Sequence, residues 1–187
     1  MSKNFARFAG LFRRQRRGIL RDEQGATAVE FALLAFPFFL ILAGILQTSV
    51  IFLASQVLES AVHDASRAIR TGQVQQSGDS LEDFRSQVCD RLFGLFPDCS
   101  GLHMRVVEVI NFQSATISVP VETTCSGDCD WTILEAWSPG DGKSIVLVQV
   151  YYRYPVALQF GPLGMANLPN GSRLLGTATV FQNEPFT

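Results

Sequence analysis

Gly25, Glu30 and Phe31 are the residues near the N-terminus whose types and spacing suggest specific chemistry. Gly25 ends a basic segment, Glu30 follows five residues later, and Phe31 begins an apolar stretch. A carboxylate at the end of a membrane helix is costly unless another group compensates its charge. The arrangement therefore predicts a functional carboxylate. The alternative is an ordinary signal anchor with a chance glycine and an interfacial glutamate.

Four cysteines are the second group of chemically capable residues: Cys89, Cys99, Cys125 and Cys129. An even number of cysteines in an oxidising compartment favours disulfides, and four cysteines allow three pairings. We favour the local pairing, in which Cys89 bonds to Cys99 and Cys125 bonds to Cys129. A four-cysteine zinc site is the alternative, although the usual close spacing of zinc ligands fits only one of the two pairs.

No catalytic or ligand site is predicted elsewhere in the chain. His63 and His103 lack a serine or cysteine nucleophile in a known arrangement, and His63 is predicted on a solvated helix face. The segment 140–144 resembles a phosphate-binding loop, but Trp137 occupies the position of its first glycine, so we expect a hairpin turn. Three aspartates lack the regular alternation of a calcium loop: Asp128, Asp130 and Asp141. We therefore predict no catalytic residues, no metal and no cofactor.

The charge distribution separates the chain into two unlike parts. Residues 1–25 carry seven basic and two acidic side chains, for a net charge of +5, whereas residues 26–187 carry eight basic and fifteen acidic ones, for −7. This polarity excludes an ordinary cytosolic globule. The arginine-rich run 13–17 has neither the interleaved aromatic residues nor the folded module of a nucleic-acid binder, so no nucleic-acid partner is expected. The pattern is typical of a membrane protein whose ends lie in different compartments.

The uncharged run Phe31–Ala54 is long enough to cross a bilayer as a helix. The excess of basic charge before it predicts that residues 1–25 stay in the cytoplasm. Pro37 removes one helical hydrogen bond and is predicted to kink the span. The helix is predicted to run from Ala26 to Thr71, with Gly72 as its stop. Its second half should bury a stripe of mainly small residues: Val50, Leu53, Val57, Ala61, Ala65 and Ala68.

The remaining residues predict a small outer domain, so the chain divides into a leader (1–25), a transmembrane helix with an amphipathic extension (26–72) and an α+β domain (73–187). A helix is predicted to begin after a capping residue, Asp79 or Ser80, and to end at Phe96. Four strands are predicted from alternation and β-branched content: Leu102–Phe112, Ala115–Val121, Ser144–Val156 and Leu174–Gln182. The expected fold class is α+β, with the long helix packed on an antiparallel sheet of about four strands. Candidates for a protein contact surface, unless they serve internal packing, are Trp131, Trp137 and the loop 160–168.

The run from Gly25 to Phe31 resembles the prepilin cleavage site of type IV pilins, in the form found in tight-adherence (Flp, type IVb) systems. Three segments are similar to the TadE-like family of minor pilins (pseudopilins): Ala26–Leu33, Ala65–Gly72 and Val180–Phe186. The sister family TadF shares the leader motif, whereas TadG proteins are usually much longer. The fold that this resemblance implies is pilin-like.

The resemblance also implies a processing site made of Gly25, Ala26, Glu30 and Phe31. A prepilin peptidase in the membrane would cut between Gly25 and Ala26, and the new amine of Ala26 would pair with Glu30. The implied protein is not an enzyme but helps initiate or stabilise assembly of the pilus. Its implied partners are the peptidase, other minor and major pilins, the pilus assembly platform and the lipid bilayer.

The location implied by topology and resemblance together is the bacterial inner membrane, crossed once. The N-terminus would be cytoplasmic and the C-terminal domain periplasmic, with incorporation into the pilus as a further option. The competing hypothesis is an uncleaved single-pass membrane protein whose outer domain binds a ligand or a surface. That hypothesis predicts an intact leader and no sensitivity to changes at Gly25 or Glu30.

Overall fold

The computed structural model describes residues 23–122, 124–159 and 164–186. Most of the predicted leader therefore lies outside the described residues, as does part of the loop 160–168. The chain divides into two compact units, the first ending at Leu46 and the second beginning at Gln47. The second unit contains the last part of the long helix together with all four strands.

Helix α1 (Glu23–Arg70) confirms the long N-terminal helix, with its start three residues earlier and its end one residue earlier than predicted. Its length and composition would allow it to cross a membrane. Its most apolar 18-residue window has a mean hydropathy of 2.4 and contains no buried residue. Pro37 lies inside this helix.

The part of α1 that follows Gln47 buries residues at three- and four-residue spacing: Ile51, Ala54, Leu58, Ala61, Val62, Ala65 and Ile69. The predicted stripe is correct at Ala61 and Ala65. It is wrong at its start, because Val50 and Leu53 are 45% and 50% exposed. Every residue from 50 to 54 is apolar, so periodicity does not reveal which face of this turn is buried.

Two short helices follow: α2 (Gln73–Ser77) and α3 (Leu81–Cys89). Ser80 caps α3 as predicted, because its hydroxyl accepts a hydrogen bond from the Asp83 backbone N–H while its own backbone N–H donates to the Asp83 carboxylate. Hydrogen bonds from the Ser80 hydroxyl and backbone lower the pKa of Asp83.

The predicted extension of α3 to Phe96 is wrong. Phe93 and Gly94 adopt positive φ angles of 52° and 70°, which no right-handed helix accommodates. Leu92 and Phe96 are nevertheless buried in the core, so the apolar pattern identified buried residues but not their backbone conformation.

The sheet contains β1 (His103–Val109), β2 (Ala136–Trp137), β3 (Ile145–Pro155) and β4 (Ser172–Gln182) in the order β2-β1-β3-β4. Its long pairs, β1–β3 and β3–β4, are antiparallel, whereas β1–β2 is parallel. The predicted α+β class and four-strand sheet are confirmed. The strand predicted at Ala115–Val121 is wrong, since only Val121 forms an isolated bridge there, and β2 replaces it.

One face of the sheet shares the main core with α1. Its buried core residues alternate along β1 and β3: Met104, Val106, Val146, Val148, Val150 and Tyr152. Phe84 of α3 is fully buried in the same core, and its ring centroid lies 5.5 Å from that of Trp137. On the opposite face Leu147, Gln149 and Tyr151 are also buried. The sheet is therefore covered on both sides.

The structure pairs the cysteines locally, Cys89 with Cys99 and Cys125 with Cys129. This is the pairing favoured from the sequence. The Cα–Cα distances are 5.9 and 5.6 Å, which are ordinary for disulfides. Because all four thiols are bonded, this structure leaves none to serve as a zinc ligand.

Removing the two disulfides separately should destabilise the fold to different extents. The bonded residues are 10 apart in the first pair and 4 apart in the second. A longer loop restricts the unfolded chain more, so we expect losses of about 3 kcal/mol for Cys89→Ala/Cys99→Ala and about 2 kcal/mol for Cys125→Ala/Cys129→Ala. Denaturant titration of both variants in detergent would measure the difference. A greater loss from the second variant would contradict this ranking.

Candidate functional site

The predicted processing residues lie together in the first turns of α1. Gly25, Ala26, Glu30 and Phe31 are all exposed. Ala26 and Glu30 are four residues apart, so they lie on one face of the helix, about one turn from each other. Within the described residues no ion pair involves Glu30. Its carboxylate is therefore accessible to a cationic group.

The first unit exposes an unusually apolar surface around these residues. Ten large hydrophobic side chains there are each more than half exposed: Val29, Phe31, Leu33, Leu34, Phe36, Phe38, Phe39, Ile41, Ile45 and Leu46. Contiguous apolar exposure on this scale marks a surface that another apolar phase or molecule covers. Lipid chains and neighbouring apolar helices both meet that requirement.

The C-terminal residues fold back onto the end of α1, and we call Asn183, Glu184 and Phe186 the C-terminal clasp. The Glu184 backbone N–H donates to the Arg70 carbonyl oxygen at 2.9 Å, and the Glu184 carboxylate lies 3.6 Å from Arg70 Nε. The Phe186 ring covers Gly72 so closely that a Cβ atom there would lie 2.5 Å from ring carbons. The clasp thus joins two segments, 65–72 and 180–186, that lie far apart in the chain.

Asn183 connects the clasp to the turn before β3. This buried residue donates from its backbone N–H to the Ser144 carbonyl oxygen at 2.8 Å. Its side-chain amide donates to the carbonyl oxygens of Pro139 and Asp141 at 2.9 and 3.0 Å. The segment 140–144 therefore supports the C-terminus. A hairpin turn joins two neighbouring strands, but β1 lies between β2 and β3 in the sheet. The hairpin predicted at 140–144 is therefore wrong.

The helix that carries the processing residues also carries the similarity to known proteins. Residues 25–67 match the family model of the TadE-like proteins. This segment is similar to the TadE-like proteins. The match begins at Gly25 and covers most of α1, which confirms the resemblance over these residues. No curated protein and no solved structure matches the chain.

The TadE-like segment implies a protein associated with the tight-adherence pilus, in a family of generally non-enzymatic structural proteins. The same segment covers most of the helix that is long and apolar enough to cross a membrane. Together these findings suggest association with a membrane or a pilus. Both ends of the clasp contact, Arg70 and Glu184, lie beyond the matched residues.

Trp131 lies inside a stack of cationic and aromatic groups on the second face of the sheet. Its ring is parallel to that of His103, with centroids 4.1 Å apart, and the Arg153 guanidinium lies 4.4 Å from its centroid. The His103 imidazole donates from Nε2 to the Ile133 carbonyl oxygen at 2.6 Å. Stacking and cation–π attraction hold this loop against the sheet. Trp131 and His103 thus serve internal packing.

Glu135 links this loop to α3. Its carboxylate accepts two hydrogen bonds from Arg85, at 2.9 and 3.1 Å, and one from the Met104 backbone N–H at 3.0 Å. Trp137 is also internal, because its indole N–H donates to the Asp79 carbonyl oxygen at 2.9 Å. Both tryptophans therefore make internal contacts, which is the alternative that the sequence left open for them. The rest of the predicted contact surface falls partly on residues 160–163, outside the described residues.

The structure exposes apolar side chains in a segment that the sequence analysis assigned to strands. Ile110 is 92% exposed, and Phe112, Ile117 and Val119 are each more than half exposed. The alternation that predicted a strand was real, but these residues do not pair with the sheet. The number of large apolar residues between 110 and 119 is the sequence signal that would have identified this segment as a candidate contact surface.

His63 lies on the exposed side of α1, as predicted. Asp128 accepts a hydrogen bond from the Asn170 side chain at 2.7 Å. Among the residues that the structure describes, no group of three or more histidine, cysteine, aspartate or glutamate side chains could hold a metal ion.

Proposed function

We propose that this chain is the precursor of a minor pilin of a tight-adherence type IVb pilus. A prepilin peptidase would cut it between Gly25 and Ala26, and the product would help initiate or stabilise pilus assembly. One observation carries the proposal: the Gly25-to-Phe31 motif lies in the first turns of an exposed apolar helix, and the TadE-like match begins at its Gly25.

The helix geometry supports a role for the new N-terminus. Cleavage would create an amine at Ala26, one helical turn from the exposed Glu30 carboxylate. Within one subunit or between neighbours, that amine would neutralise a charge that is otherwise costly in an apolar environment. The exposed apolar side chains of the first unit would then leave the lipid and pack against helices of other pilins.

Charge and disulfides support the proposed topology. The basic residues of segment 1–25 would stay in the cytoplasm, because positive flanks are retained on that side. The second unit would lie in the periplasm, where its two disulfides can form. The functional divisions would be a leader (1–25), a membrane helix with its extension (26–72) and a periplasmic domain (73–187). Its partners would be the peptidase, other pilins and the assembly platform.

Cleavage can be tested by measuring the intact mass and N-terminal sequence of the protein purified from membranes. We expect a chain that begins at Ala26 only in cells that contain the prepilin peptidase. Gly25→Val should block cleavage, whereas Gly44→Val, in the same helix, should not. A chain that begins at Met1 with and without the peptidase would overturn the proposal and favour an uncleaved anchor with a binding domain.

A further inference from the structure

The edge of the sheet formed by β4 is long and unpaired. β4 has 11 residues, whereas β2 at the opposite edge has two. No described residue forms a strand pair with the outer side of β4. Exposed edges are usually protected by charged residues, proline or bulges. The first residues of β4 include a charged side chain, Arg173, and the Leu174 backbone N–H donates to the Asn167 side-chain oxygen at 2.7 Å. Residues 175–182 contain neither proline nor a charged side chain, so this part of the edge is open to pairing with another chain.

A groove runs beside this edge, between β4 and the last turns of α1, and we call it the basic groove. It has a volume of about 540 Å³. Its lining has two arginines and one carboxylate, Arg67, Arg70 and Glu184, beside His63, Ser66, Thr179 and Phe181. Thr179 pairs with Val148 in the sheet, and Val148 belongs to the face that meets α1. A chain added to β4 would therefore direct alternate side chains into the groove.

The charge of the basic groove selects an acidic occupant. Among the described residues Arg70 forms one ion pair, with Glu184, and both side chains are more than half exposed. Arg67 forms no ion pair within the described residues, and the buried Ser66 hydroxyl has no hydrogen-bond partner there. Residues 26–187 are acidic overall, with fifteen acidic and eight basic side chains. A basic groove on this background attracts a carboxylate.

We propose that β4 and the basic groove bind an extended segment of a partner protein, which adds a strand to the sheet and places an aspartate or glutamate beside Arg67. Backbone hydrogen bonds along β4 supply affinity, and the carboxylate supplies selectivity. This inference does not depend on cleavage after Gly25, because every residue involved lies in the second unit.

The test uses the full chain in lipid nanodiscs and two short peptides with blocked ends. Both alternate threonine and valine, and they differ only in a central aspartate or asparagine. We expect the aspartate peptide to bind roughly tenfold more tightly, because a charge-assisted hydrogen bond to arginine is stronger than a neutral one. Its binding should slow amide hydrogen exchange within residues 174–181.

Arg67→Gln should remove the preference for aspartate without changing the affinity for the asparagine peptide. Arg91→Gln is the matched control, because Arg91 is exposed and donates to the Gln87 carbonyl oxygen of its own turn. Equal affinity of the two peptides for the wild-type chain would overturn the proposal, as would failure of both to bind. Protection of β4 in a dimer without peptide would assign the edge to a second copy and would also overturn it.

Discussion

Gly72→Ala is expected to lower the free energy of unfolding by about 3 kcal/mol. Gly72 has a φ of 79°, and a left-handed conformation costs an ordinary residue about 1 kcal/mol or more. The added Cβ would also lie 2.5 Å from the Phe186 ring, and relieving such an overlap costs about 2 kcal/mol. Denaturant unfolding of the full chain in detergent would measure the loss.

Gly78→Ala is a matched control for this variant. Gly78 has a similar φ of 74°, but a Cβ atom there would meet nothing within 4 Å. It should therefore cost only the conformational part, about 1 kcal/mol. In a Phe186→Ala background, Gly72→Ala should approach the same small value, because the overlap is gone. Equal losses of unfolding free energy for the two variants in the wild-type background would mean that the Phe186 ring does not pack against Gly72.

Glu30→Ala is expected to leave membrane insertion intact and to reduce incorporation into pili roughly a hundredfold. If Glu30 pairs with the Ala26 amine in the assembled helices, its loss leaves a buried charge without a partner, which costs about 3 kcal/mol. The amount of protein in membranes and in sheared pili would be compared by immunoblot.

Glu59→Ala provides the control for that experiment. Glu59 is an exposed glutamate of the same helix and forms no ion pair within the described residues. Its removal should therefore change neither insertion nor incorporation. Normal piliation with Glu30→Ala would contradict the proposed pairing of Glu30 with the Ala26 amine. It would not bear on cleavage after Gly25, which the intact mass tests separately.

Local signals in the sequence predicted the elements that depend on neighbouring residues. The uncharged apolar run and the Thr71–Gly72 stop identified α1, because helix formation and termination involve contacts within a few residues. The two candidate capping residues, Asp79 and Ser80, located the start of α3 for the same reason, and the structure uses Ser80. The strands predicted at Ser144–Val156 and Leu174–Gln182 correspond to the two long strands, β3 and β4. The Gly25-to-Phe31 motif is likewise local and was readable by inspection.

Elements that depend on distant partners were decided only by the tertiary structure. The segment Ala115–Val121 alternates like a strand, yet it remains outside the sheet, while the two-residue β2 pairs with β1 instead. The alternation of apolar and polar residues shows which side chains a strand could bury. Whether the segment joins the sheet depends on which sheet edge is free to pair with it as the chain folds.

The candidate sites divide in the same way. The predicted processing residues lie within seven consecutive positions, so the sequence by itself is sufficient to propose them. The C-terminal clasp joins residue 70 to residue 184, and the basic groove combines α1 with β4. Contacts between residues so far apart in the chain leave no periodic signal in a single sequence, because they arise only when the sheet brings β4 beside the end of α1.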